Sequence, residues 1–478
     1  MKYETVIGLE VHAQLSTQSK IFCSCSTAFG AEPNTQTCPV CLGMPGVLPV
    51  LNKKVVEYAI RLGLATSSEI RRRNIFARKN YFYPDLPKGY QVSQFDEPIC
   101  EHGYVDVEID DITKRVGLTR IHMEEDAGKS VHDESYVNEH DSFVDLNRCG
   151  VPLLEIVSEP DIRSAKEAAL YLTKLRQMVR YLGICDGNME EGSLRCDANV
   201  SIRPQGETSY GTRTELKNMN SINNVEKAIE YEIERQISVV ESGDEVIQET
   251  LLWDPDKNEA RSMRSKEESH DYRYFPEPDL VPVEISLEWL DEIQKTMPEM
   301  AEAKKARFIS EYGLSEYNAG VLTSVKEIAE YFEQTVELCE DFNLVCNWIM
   351  GEVMRVLNER KININELPVT PPRLAVLLKS IQNNVISGSA AKSVFQQMLQ
   401  DSSEVSDIIE KLGLKQISDT GQLDEVINKV LERCPQEVKS YQAGNIKVIG
   451  FLVGQVMKDS GGKANPKLVN EILRNKLA

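Results

Sequence analysis

The sequence lacks long apolar runs. No stretch of its 478 residues approaches the roughly 18 consecutive apolar residues that a membrane-spanning helix needs. The segment from Met1 to His12 carries Lys2, Glu4 and Glu10 and has no apolar centre of the kind found in signal peptides. We therefore expect neither membrane insertion nor export, and hence a cytoplasmic protein.

Positive charge is also scarce, with 54 Lys and Arg residues against 75 Asp and Glu residues and a formal net charge of −21. Such a balance argues against broad, nonspecific coating of nucleic acid. The stretch 447–478 is an exception, because its six basic and two acidic residues give a local excess of +4. These residues are Lys447, Lys458, Lys463, Lys467, Arg474 and Lys476 against Asp459 and Glu471. Contact with a polyanion is expected at this end.

The chain is too long for one hydrophobic core, so two to four domains are expected. Apolar and polar residues alternate as in strands over most of residues 1–160 and 190–220, with Pro and Gly between the alternating segments. Beyond a proline-rich boundary at 274–283, helical patterns prevail, with breaks at 368–372 and 402–403. The sequence therefore predicts an α+β protein whose sheet-containing N-terminal domain is followed by a helical domain and a small helical tail.

Three helices are predicted in the first half of the chain. Asn52 is a suitable N-cap for a helix that buries Val55, Val56, Ala59 and Ile60. Ser164 followed by Glu167 resembles a capping box, and this helix should end near Gly183. Apolar residues at helical spacing predict a third helix over 221–242.

Four of the eleven cysteines form two close pairs, Cys23-Ser-Cys25 and Cys38-Pro-Val-Cys41, separated by twelve residues. Four thiolates complete a tetrahedral shell and leave no open position for water, so the spacing predicts a structural zinc site. Iron is an alternative to zinc because the four thiolate ligands alone do not select the metal. Free core cysteines or a redox pair are the alternatives. The other seven cysteines are scattered and are expected to be small buried apolar residues.

Several predicted strands carry a polar face opposite an apolar one. Alternation places Ile7, Leu9, Val11, Ala13 and Leu15 on one face of the first strand and Glu10, His12 and Gln14 on the other. Two later strands repeat the pattern, with Arg195, Asp197, Asn199, Ser201 and Arg203 on one and Arg213, Glu215 and Lys217 on the other. A sheet with one face in water is the simplest explanation of any single strand.

The acidic residues of these strands favour a chemical role for the polar faces over simple exposure to solvent. Glu124, Glu125 and Asp126 form an acidic run, and Glu155 lies within the apolar stretch Pro152–Val157, where an unpaired carboxylate would be costly to bury. Carboxylates and imidazole interleaved with Arg and Lys suit divalent cations and phosphate oxygens. Phosphoryl transfer depends mainly on such metal and cationic stabilisation.

Long sequence blocks in a fixed order make the chain similar to the B subunits of tRNA-dependent amidotransferases over essentially its whole length. The N-terminal blocks are Val6–His12, Phe29–Asn34, Cys38–Gly46, Lys79–Tyr90, Glu124–Lys129, Gly192–Asn199 and Asp271–Pro276. The tail blocks are Gly454–Lys458 and Gly462–Pro466.

The resemblance implies a β-rich, cradle-like N-terminal domain over 1–290 that contains the four-cysteine loop at 23–41, a helical domain over 291–402 and a tRNA-binding tail over 403–478. It implies a heterotrimer with an amidase-type A subunit and a small C subunit. The implied reaction is ATP-dependent transamidation of misacylated Glu-tRNA(Gln), Asp-tRNA(Asn) or both. In this reaction the B subunit phosphorylates the aminoacyl carboxylate and ammonia then displaces phosphate.

The resemblance also assigns residues. Glu10, His12, Glu124, Glu125 and Glu155 are expected at or near Mg²⁺. Lys79, Arg195, Asp197, Glu215 and Lys217, together with Glu125, are expected around ATP and the acyl acceptor. For Lys79, Arg195 and Lys217, a solvated basic face or a simple ion pair is the alternative. The cysteine site is expected to be scaffolding.

Two other classes of protein remain open from the residues. One is a zinc-containing, non-enzymatic tRNA-binding scaffold, against which the acidic N-terminal surface speaks because phosphate affinity needs cations. The other is a metal-dependent hydrolase. ATP cleavage that requires mischarged tRNA would distinguish both from an amidotransferase.

Overall fold

The computed structural model describes residues 2–110, 112–131, 143–263, 272–416, 420–461 and 463–477. The chain divides into two compact units, Met1–Ala301 and Glu302–Ala478. Strands lie in the first unit and helices fill the described part of the second. The α+β class is therefore confirmed, with a sheet-rich N-terminal unit and a helical C-terminal region.

In its described part, the first unit contains strands of two to fourteen residues and helices of nine to twenty residues. Its strands are β1 (Tyr3–Gln14), β2 (Glu69–Ile70), β3 (Arg73–Asn74), β4 (Ala77–Asn80), β5 (Tyr90–Ser93), β6 (Cys100–Ile109), β7 (Ile112–Glu125), β8 (Lys129–Val131), β9 (Phe143–Asp145), β10 (Pro152–Ser158), β11 (Leu194–Pro204), β12 (Thr214–Lys217), β13 (Thr250–Asp254), β14 (Glu259–Ser262), β15 (Phe275–Pro276) and β16 (Val283–Glu284). Its helices are α1 (Lys53–Ala65), α2 (Ala165–Tyr181), α3 (Ile222–Glu241) and α4 (Leu287–Lys295).

The main sheet has the strand order β14-β13-β12-β11-β1-β10-β7-β6-β2. Its neighbours are antiparallel except for the parallel pair β12 and β13. β1 lies at the centre between β10 and β11, which follow it by well over a hundred residues. A second, three-stranded sheet has the order β15-β4-β5, and its β5 contacts β7.

One face of the main sheet packs against the helices α1, α2 and α3. Leu9 and Val11 of β1, Ile60 of α1, Leu172 of α2 and Ile229 of α3 belong to one buried cluster. Because successive side chains in a strand point to opposite faces, burying Leu9 and Val11 under the helices leaves the polar residues of β1 on the other face. That face positions the candidate site.

The three predicted helices are confirmed, as are the predicted caps Asn52 and Ser164, and the structure adds Ser221 as the cap of the third helix. Asn52 accepts a hydrogen bond from the backbone N–H of Lys54, Ser164 from that of Glu167 and Ser221 from that of Asn224. Such caps satisfy N–H groups that the first helical turn leaves without partners.

The second unit is a succession of helices. They are α5 (Ala301–Tyr312), α6 (Glu316–Thr323), α7 (Lys326–Val336), α8 (Phe342–Trp348), α9 (Met354–Arg360), α10 (Pro371–Gln382), α11 (Gly388–Met398), α12 (Val405–Lys411), α13 (Thr420–Arg433), α14 (Pro435–Gln442), α15 (Ile449–Asp459) and α16 (Pro466–Leu477). A π-helical turn, Ile349–Val353, joins α8 to α9. In the described part of the chain, every helix is too short or too polar to cross a lipid bilayer.

Two separate hydrophobic clusters lie in the second unit. One extends from Phe308 to Ile409 and the other from Leu423 to Leu477. Val405 and Ile408 of α12 are buried in the former, so this helix packs with the residues before it. The predicted domain boundaries near residues 290 and 402 stay predictions.

Candidate functional site

The strand register places a row of polar side chains across four strands of the main sheet. Arg195 on β11 pairs with His12 on β1, His12 with Glu155 on β10, and Glu155 with His122 on β7. Neighbouring rows on the same face add Glu10 opposite Asp197, and Glu124 opposite Leu153. Residues that are distant in sequence therefore meet on the face that the helices leave uncovered.

Two imidazoles and three carboxylates converge at this row, and we call them the His/Glu cluster. The Nε2 atom of His12 lies 3.4 Å from Glu155 Oε2, 3.5 Å from Glu124 Oε1 and 3.7 Å from Glu10 Oε1. The Nε2 atom of His122 lies 3.2 Å from the same Glu155 Oε2 and 3.7 Å from Glu124 Oε2. The cluster brings together four of the five residues expected at Mg²⁺.

Three members of the His/Glu cluster are buried and the other two, Glu10 and His12, are half-buried, unlike the solvated sheet face that is the simplest explanation of the strand pattern. His122 and Glu124 are each 2% exposed and Glu155 is 6% exposed. Burial opposes protonation of His12, but its hydrogen bond to Glu155 and the charges of Glu155, Glu124 and Glu10 raise its pKa to about 9. Burial likewise opposes protonation of His122, and Glu155 and Glu124 raise its pKa to about 9.

The pKa values of two carboxyl groups in the His/Glu cluster, those of Glu155 and Glu10, are shifted in opposite directions. Burial tends to raise the pKa of Glu155, but the adjacent His122 and His12 hold it well below its usual range. The pKa of Glu10 is raised by burial and by the charge of Glu155. Glu155, which the sequence singled out as a costly carboxylate to bury, is thus more strongly stabilised as an anion than Glu10.

The residues of the His/Glu cluster fit a hard divalent cation. Carboxylate oxygens are the ligands that Mg²⁺ prefers, and imidazole widens the choice to Mn²⁺ and other transition metals. Glu10, His12 and Glu155 offer ligand atoms within 4.8 Å of one another, and so do His122, Glu124 and Glu155. The donor set and its convergence both agree with the expected Mg²⁺.

Lys79 on β4 faces the His/Glu cluster from the second sheet. Its Nζ lies 5.0 Å from the centre of the Tyr272 ring. Burial would lower the pKa of Lys79, but the charges of Glu124, Tyr274 and Glu155 raise it. Lys79 is therefore cationic at neutral pH and beside the carboxylates, as a group that binds phosphate needs to be.

A second charged group surrounds Asp126 at the end of β7. Its Oδ2 accepts hydrogen bonds from Arg195 Nη2 at 2.9 Å and from Gln14 Nε2 at 2.8 Å, and Arg148 Nε lies 3.5 Å away. Burial tends to raise the pKa of Asp126, but Arg195 and Arg148 lower it. Three polar side chains are thereby fixed around one carboxylate, and two of them are arginines.

The same arginines line a cavity of about 640 Å³. Its wall includes Gln14, Arg148 and Arg195 as well as the apolar side chains of Phe29 and Met219. Binding pockets for small ligands have volumes of about 300–1,000 Å³ and combine apolar walls with a few polar groups. The cavity thus has the size and lining for a nucleotide next to the His/Glu cluster.

Asp197, Glu215 and Lys217 form a third group on the same sheet face. Lys217 Nζ lies 2.9 Å from Asp197 Oδ2 and 3.1 Å from Glu215 Oε1. Burial would lower the pKa of Lys217, but the two carboxylates raise it. Asp197 is also the sheet neighbour of Glu10, so this ion-paired group borders the His/Glu cluster.

Glu125 lies apart from the other expected Mg²⁺ ligands. It follows Glu124 directly in β7, and its carboxylate pairs with Lys88 Nζ and accepts a hydrogen bond from the backbone N–H of Val92 at 2.8 Å. A small cavity lined by Lys88, Glu125, Cys23 and Cys41 adjoins this pair. The structure therefore associates Glu125 with the cysteine loop, and its role at Mg²⁺ stays a prediction.

The four predicted metal-binding cysteines come together. The Sγ atoms of Cys23, Cys25, Cys38 and Cys41 all lie within 4.8 Å of one another, and those of Cys38 and Cys41 are 3.9 Å apart. A tetrahedral zinc–thiolate site with bonds near 2.3 Å has sulfur–sulfur edges of about 3.8 Å. The cluster can therefore hold a metal ion of this type.

Lys20 supplies an independent reason to expect anionic sulfur there. Its side chain is fully buried, and its Nζ donates to the backbone carbonyl of Gln36 at 2.7 Å and lies 3.7 Å from Cys41 Sγ. A buried ammonium group is costly without a nearby anion. Hydrogen bonding from Cys23, together with Lys20, lowers the pKa of Cys41 to about 4 despite burial. Cys41 is thus suited to the thiolate form, whereas the neighbouring cysteines and burial raise the pKa values of Cys23 and Cys25.

Sequence reasoning missed His122, Arg148 and the anchoring role of Asp126. A signal for His122 was present, because it lies two residues before Glu124 and residues at that spacing share one face of a strand. Arg148 lies in the loop before β10, where no periodicity applies. Of the blocks that carried the resemblance, Asp271 and Gly462 lie outside the described residues.

The first comparison gives the class of protein. Residues 5–291 match the family model described as the GatB/GatE catalytic domain, and residues 330–477 match the model described as the GatB domain. The former match covers the sheet-rich unit almost completely and includes each residue of the His/Glu cluster.

Comparison with individual proteins narrows the family assignment to one kind of amidotransferase subunit. This chain is similar to proteins named as the B subunit of aspartyl/glutamyl-tRNA(Asn/Gln) amidotransferase. It is 59% identical to the one from Geobacter sulfurreducens and 60% identical to the one from Geotalea uraniireducens. Each alignment spans 477 residues and covers 100% of this chain and 100% of the relative. One from Syntrophotalea carbinolica is 57% identical over 476 residues, which cover 100% of this chain and 99% of that protein. This chain belongs to the family of these amidotransferase B subunits.

Proposed function

We propose that this chain is the ATP-using subunit that activates the side-chain carboxylate of glutamate or aspartate on a misacylated tRNA. The acceptor is suggested by the name of the relatives, which specifies tRNA(Asn) and tRNA(Gln). An amidase-type A subunit supplying ammonia and a small C subunit complete the proposed heterotrimer. A cytoplasmic location belongs to the same proposal because charged tRNA is used there.

The proposed chemistry has two steps. A carboxylate oxygen of the aminoacyl group attacks the γ-phosphorus of ATP, the bond to the β-phosphate oxygen breaks, and ADP leaves. Ammonia then attacks the acyl carbon, inorganic phosphate leaves, and the nitrogen loses a proton to give the amide. The acyl phosphate provides a good leaving group where the free carboxylate has none, so one hard step becomes two easier ones.

Charge placement supports an active centre at the His/Glu cluster. A bound Mg²⁺ would be held by Glu10, His12, Glu124 and Glu155 and would neutralise charge on phosphate oxygens. Lys79 adds a fixed positive charge that is held protonated by its surroundings. Arg195 lies both in the nucleotide-sized cavity and in the row of residues that contains His12.

The proposal rests on one observation: in a chain of the amidotransferase family, the His/Glu cluster lies next to the cavity lined by Arg195. The His/Glu cluster suits a cation, and the neighbouring cavity of about 640 Å³ suits a nucleotide. Asp197, Glu215 and Lys217 lie at the border and are proposed to surround the acyl acceptor. A protein that only binds tRNA has no use for a buried cation site beside such a cavity.

ATP cleavage in the assembled complex tests the function. With γ-labelled ATP, we expect phosphate release that depends on Glu-tRNA(Gln) or Asp-tRNA(Asn) and yields Gln-tRNA(Gln) or Asn-tRNA(Asn) when glutamine is supplied. Cleavage of ATP at the same rate with correctly charged tRNA or without tRNA would indicate a hydrolase. Binding of tRNA without any cleavage would indicate a scaffold.

Glu124 and Glu125 form a matched pair of adjacent glutamates on opposite faces of β7. Glu124→Gln removes charge from the His/Glu cluster and should weaken Mg²⁺ or Mn²⁺ binding about 10-fold or more. Glu125→Gln should leave cation affinity within about 2-fold, since its carboxylate pairs with Lys88. An equal loss in both variants, measured by Mn²⁺ titration, would make Glu125 a ligand as the sequence predicted.

A further inference from the structure

We propose that a stack of aromatic rings beside the His/Glu cluster binds the unpaired terminal base of the misacylated tRNA. We call this group the aromatic shelf, and it consists of Tyr81, Phe95, Tyr272 and Tyr274. The identity of the nucleic acid rests on the proposed function, while stacking of a base can be measured without any activity.

The rings of Phe95 and Tyr274 lie almost parallel. Their centroids are 4.2 Å apart and their planes differ by 7°. Tyr272 meets Tyr274 edge to face at 6.0 Å, and it meets Tyr81 in the same manner at 6.0 Å. Phe95 is 42% exposed, so the stack ends in a ring that solvent reaches. Every nucleobase has a flat π-face that can lie on such a ring.

The aromatic shelf adjoins the His/Glu cluster. Ser93 precedes Phe95 by two residues, and its Oγ donates a hydrogen bond to Glu124 Oε2 at 3.2 Å. Burial, together with the charges of Glu155 and Glu124, raises the pKa of Tyr274 to about 12. Both rings of the parallel pair are therefore tied to the carboxylates of the proposed reaction centre.

A strained turn holds Tyr272 and Tyr274 in place. Arg273 between them has a φ of 44°, in the left-handed region that residues with long side chains rarely adopt. Asn80 on β4 stabilises the turn, because its backbone N–H donates to the carbonyl of Tyr272 at 2.9 Å and its side-chain Nδ2 donates to that of Arg273 at 2.9 Å. Such strain persists only where its surroundings enforce it, and it concentrates at binding and catalytic sites.

Two cations flank the aromatic shelf. Lys79 Nζ lies 5.0 Å from the centre of the Tyr272 ring, and Arg120 Cζ lies 5.7 Å from the centre of the Phe95 ring. Among the residues that the structure describes, the buried Nε of Arg120 has no hydrogen-bond partner. Rings interleaved with cations are the arrangement by which proteins bind single-stranded nucleic acid. Packing of the second sheet against the main one explains the inner rings, but not an exposed Phe95 beside this arginine.

The place of the aromatic shelf distinguishes the tRNA end from ATP. Strands β11, β1, β10 and β7 lie side by side in this order, and Arg195 on β11 lines the nucleotide-sized cavity. Arg120 lies on β7, two residues before His122 and hence on the same face. The His/Glu cluster therefore lies between the cavity and the aromatic shelf, and the two substrates meet there from opposite sides.

The chemistry of the tRNA end fits this distance from the reaction centre. A ribose and an ester-linked amino acid separate the terminal base from the carboxylate that reacts. With the base on Phe95, the aminoacyl group extends over the His/Glu cluster toward Asp197 and Lys217, which border the cluster on the far side. A base bound within the cluster itself would displace the carboxylate from it.

Fluorescence of a labelled tRNA end provides the first test. The assembled complex is titrated with tRNA(Gln) whose terminal adenine is replaced by 2-aminopurine, a base whose emission falls when it stacks on an aromatic ring. We expect quenching in the wild type, its loss in Phe95→Leu and its return in Phe95→Tyr. Tyr210→Leu is the matched control, because Tyr210 is an exposed ring 5.7 Å from Arg203. No quenching in the wild type, or equal quenching in Phe95→Leu, overturns the inference.

Steady-state kinetics of the complex separate the tRNA end from ATP. Phe95→Leu should raise KM for mischarged tRNA about 10-fold and leave KM for ATP within about 2-fold. A rise in KM for ATP alone assigns the ring to the base of ATP, and no change in either KM reduces the rings to packing. Both results overturn the inference and leave the proposed function intact. Quenching without tRNA-dependent ATP cleavage in the wild type overturns the proposed function and retains the base-binding shelf.

Salt dependence tests the arginine separately from the ring. Arg120→Gln should reduce the slope of log affinity against log salt by about 0.7, the value for one phosphate contact on a single strand. Phe95→Leu should lower affinity at an unchanged slope, since stacking releases no counterions. Arg115→Gln is the control, because Arg115 lies on the same strand over the ring of Tyr104. Equal slopes in Arg120→Gln and this control contradict the phosphate contact. Should Phe95→Leu fail to fold by circular dichroism, Phe95→Met takes its place in all three tests.

Discussion

At the scale of single residues, ionisable groups on the polar sheet face form buried or half-buried sets whose charges oppose one another. Lys217 lies between Asp197 and Glu215, and Asp126 lies between Arg195 and Arg148. Asp126 is buried, so removing its arginine partners leaves a buried charge without a counter-charge, which is more costly than losing the pair. The half-buried set around Lys217 should be affected less. Substitutions in these sets therefore need a stability measurement beside any activity measurement.

The imidazoles of the His/Glu cluster should give chelator-treated protein a distinct pH dependence. The pKa values of His12 and His122 are raised to about 9 by the neighbouring glutamates, against about 6.5 for an unperturbed histidine. Folding therefore favours the protonated rings. Their stabilisation is fully present below pH 6.5 and is lost as pH rises through about 9.

Thermal unfolding of the chelator-treated protein between pH 6 and pH 10 measures this effect. The difference in midpoint between wild type and His12→Asn is expected to shrink as the pH rises. Saturating Mn²⁺ should remove the pH dependence of that difference, because coordination requires the neutral ring. A midpoint difference that stays constant across this range contradicts the protonation of His12.

Much of the site was predictable one residue at a time, and the exceptions have physical causes. Glu10, His12 and Glu155 stood out because a charged residue among alternating or continuous apolar ones is locally visible. The resemblance grouped Glu125 with Glu124 at Mg²⁺, and because neighbours in a strand point to opposite faces, that role of Glu125 stays a prediction. His122 was overlooked because Ile121 and Met123, the apolar residues on either side of it, gave the segment the pattern of a core strand.

At the scale of elements, the sequence predicts where helices begin better than it predicts which strands pair with one another. The caps Asn52, Ser164 and Ser221 act within three residues of themselves, so the helices they begin could be predicted closely. The position of β1 between β10 and β11 depends on pairing across more than a hundred residues. No local periodicity encodes that order, so the row that contains His12 and Glu155 emerged only with the fold.

The bulge at the end of β10 should depend on one hydroxyl group. The register shifts between Val157 and Ser158, and there Ser158 Oγ accepts a buried hydrogen bond from the backbone N–H of Leu9 at 2.8 Å. Ser158→Ala leaves that N–H without its partner and should cost about 1–3 kcal/mol of unfolding free energy. Urea denaturation measures the change, and Ser201→Ala, a buried serine on β11, is the matched control. Equal small effects in both variants would contradict the role of the hydroxyl.

The cysteine loop should be held in place by its metal. Cys23, Cys25, Cys38 and Cys41 offer a complete thiolate shell, so we expect about one zinc or iron ion per chain in protein purified without added metal. Replacing Cys38 and Cys41 by Ser should lower the content below about a tenth of an ion and reduce thermal stability more than the chemical step. Elemental analysis with native thiol titration checks this. Freely titratable thiols and no metal in the wild type would count against the site.

At the scale of the whole molecule, the C-terminal tail is the part whose charge differs from the rest. Residues 447–478 carry six basic and two acidic side chains in a chain with a net charge of −21. The tail has its own hydrophobic cluster from Leu423 to Leu477, as an independently folded module requires. A solvated helical surface would also explain the lysines, so binding must be measured.

Truncation after Gln416 is expected to weaken tRNA binding and leave cation and ATP binding intact. The cut is placed there because Val405, Ile408 and Ile409 belong to the preceding hydrophobic cluster and must be retained. Each lost phosphate contact should reduce the slope of log affinity against log salt by about 0.7–0.9. A full-length variant with Lys458, Lys463 and Lys467 changed to Gln serves as the matched test, since it removes charge but keeps the fold. It should lower affinity and slope in the same direction by a smaller amount. If both proteins, assembled with their partner subunits, bind mischarged tRNA as tightly as wild type across the salt titration, the tail does not contact the tRNA backbone.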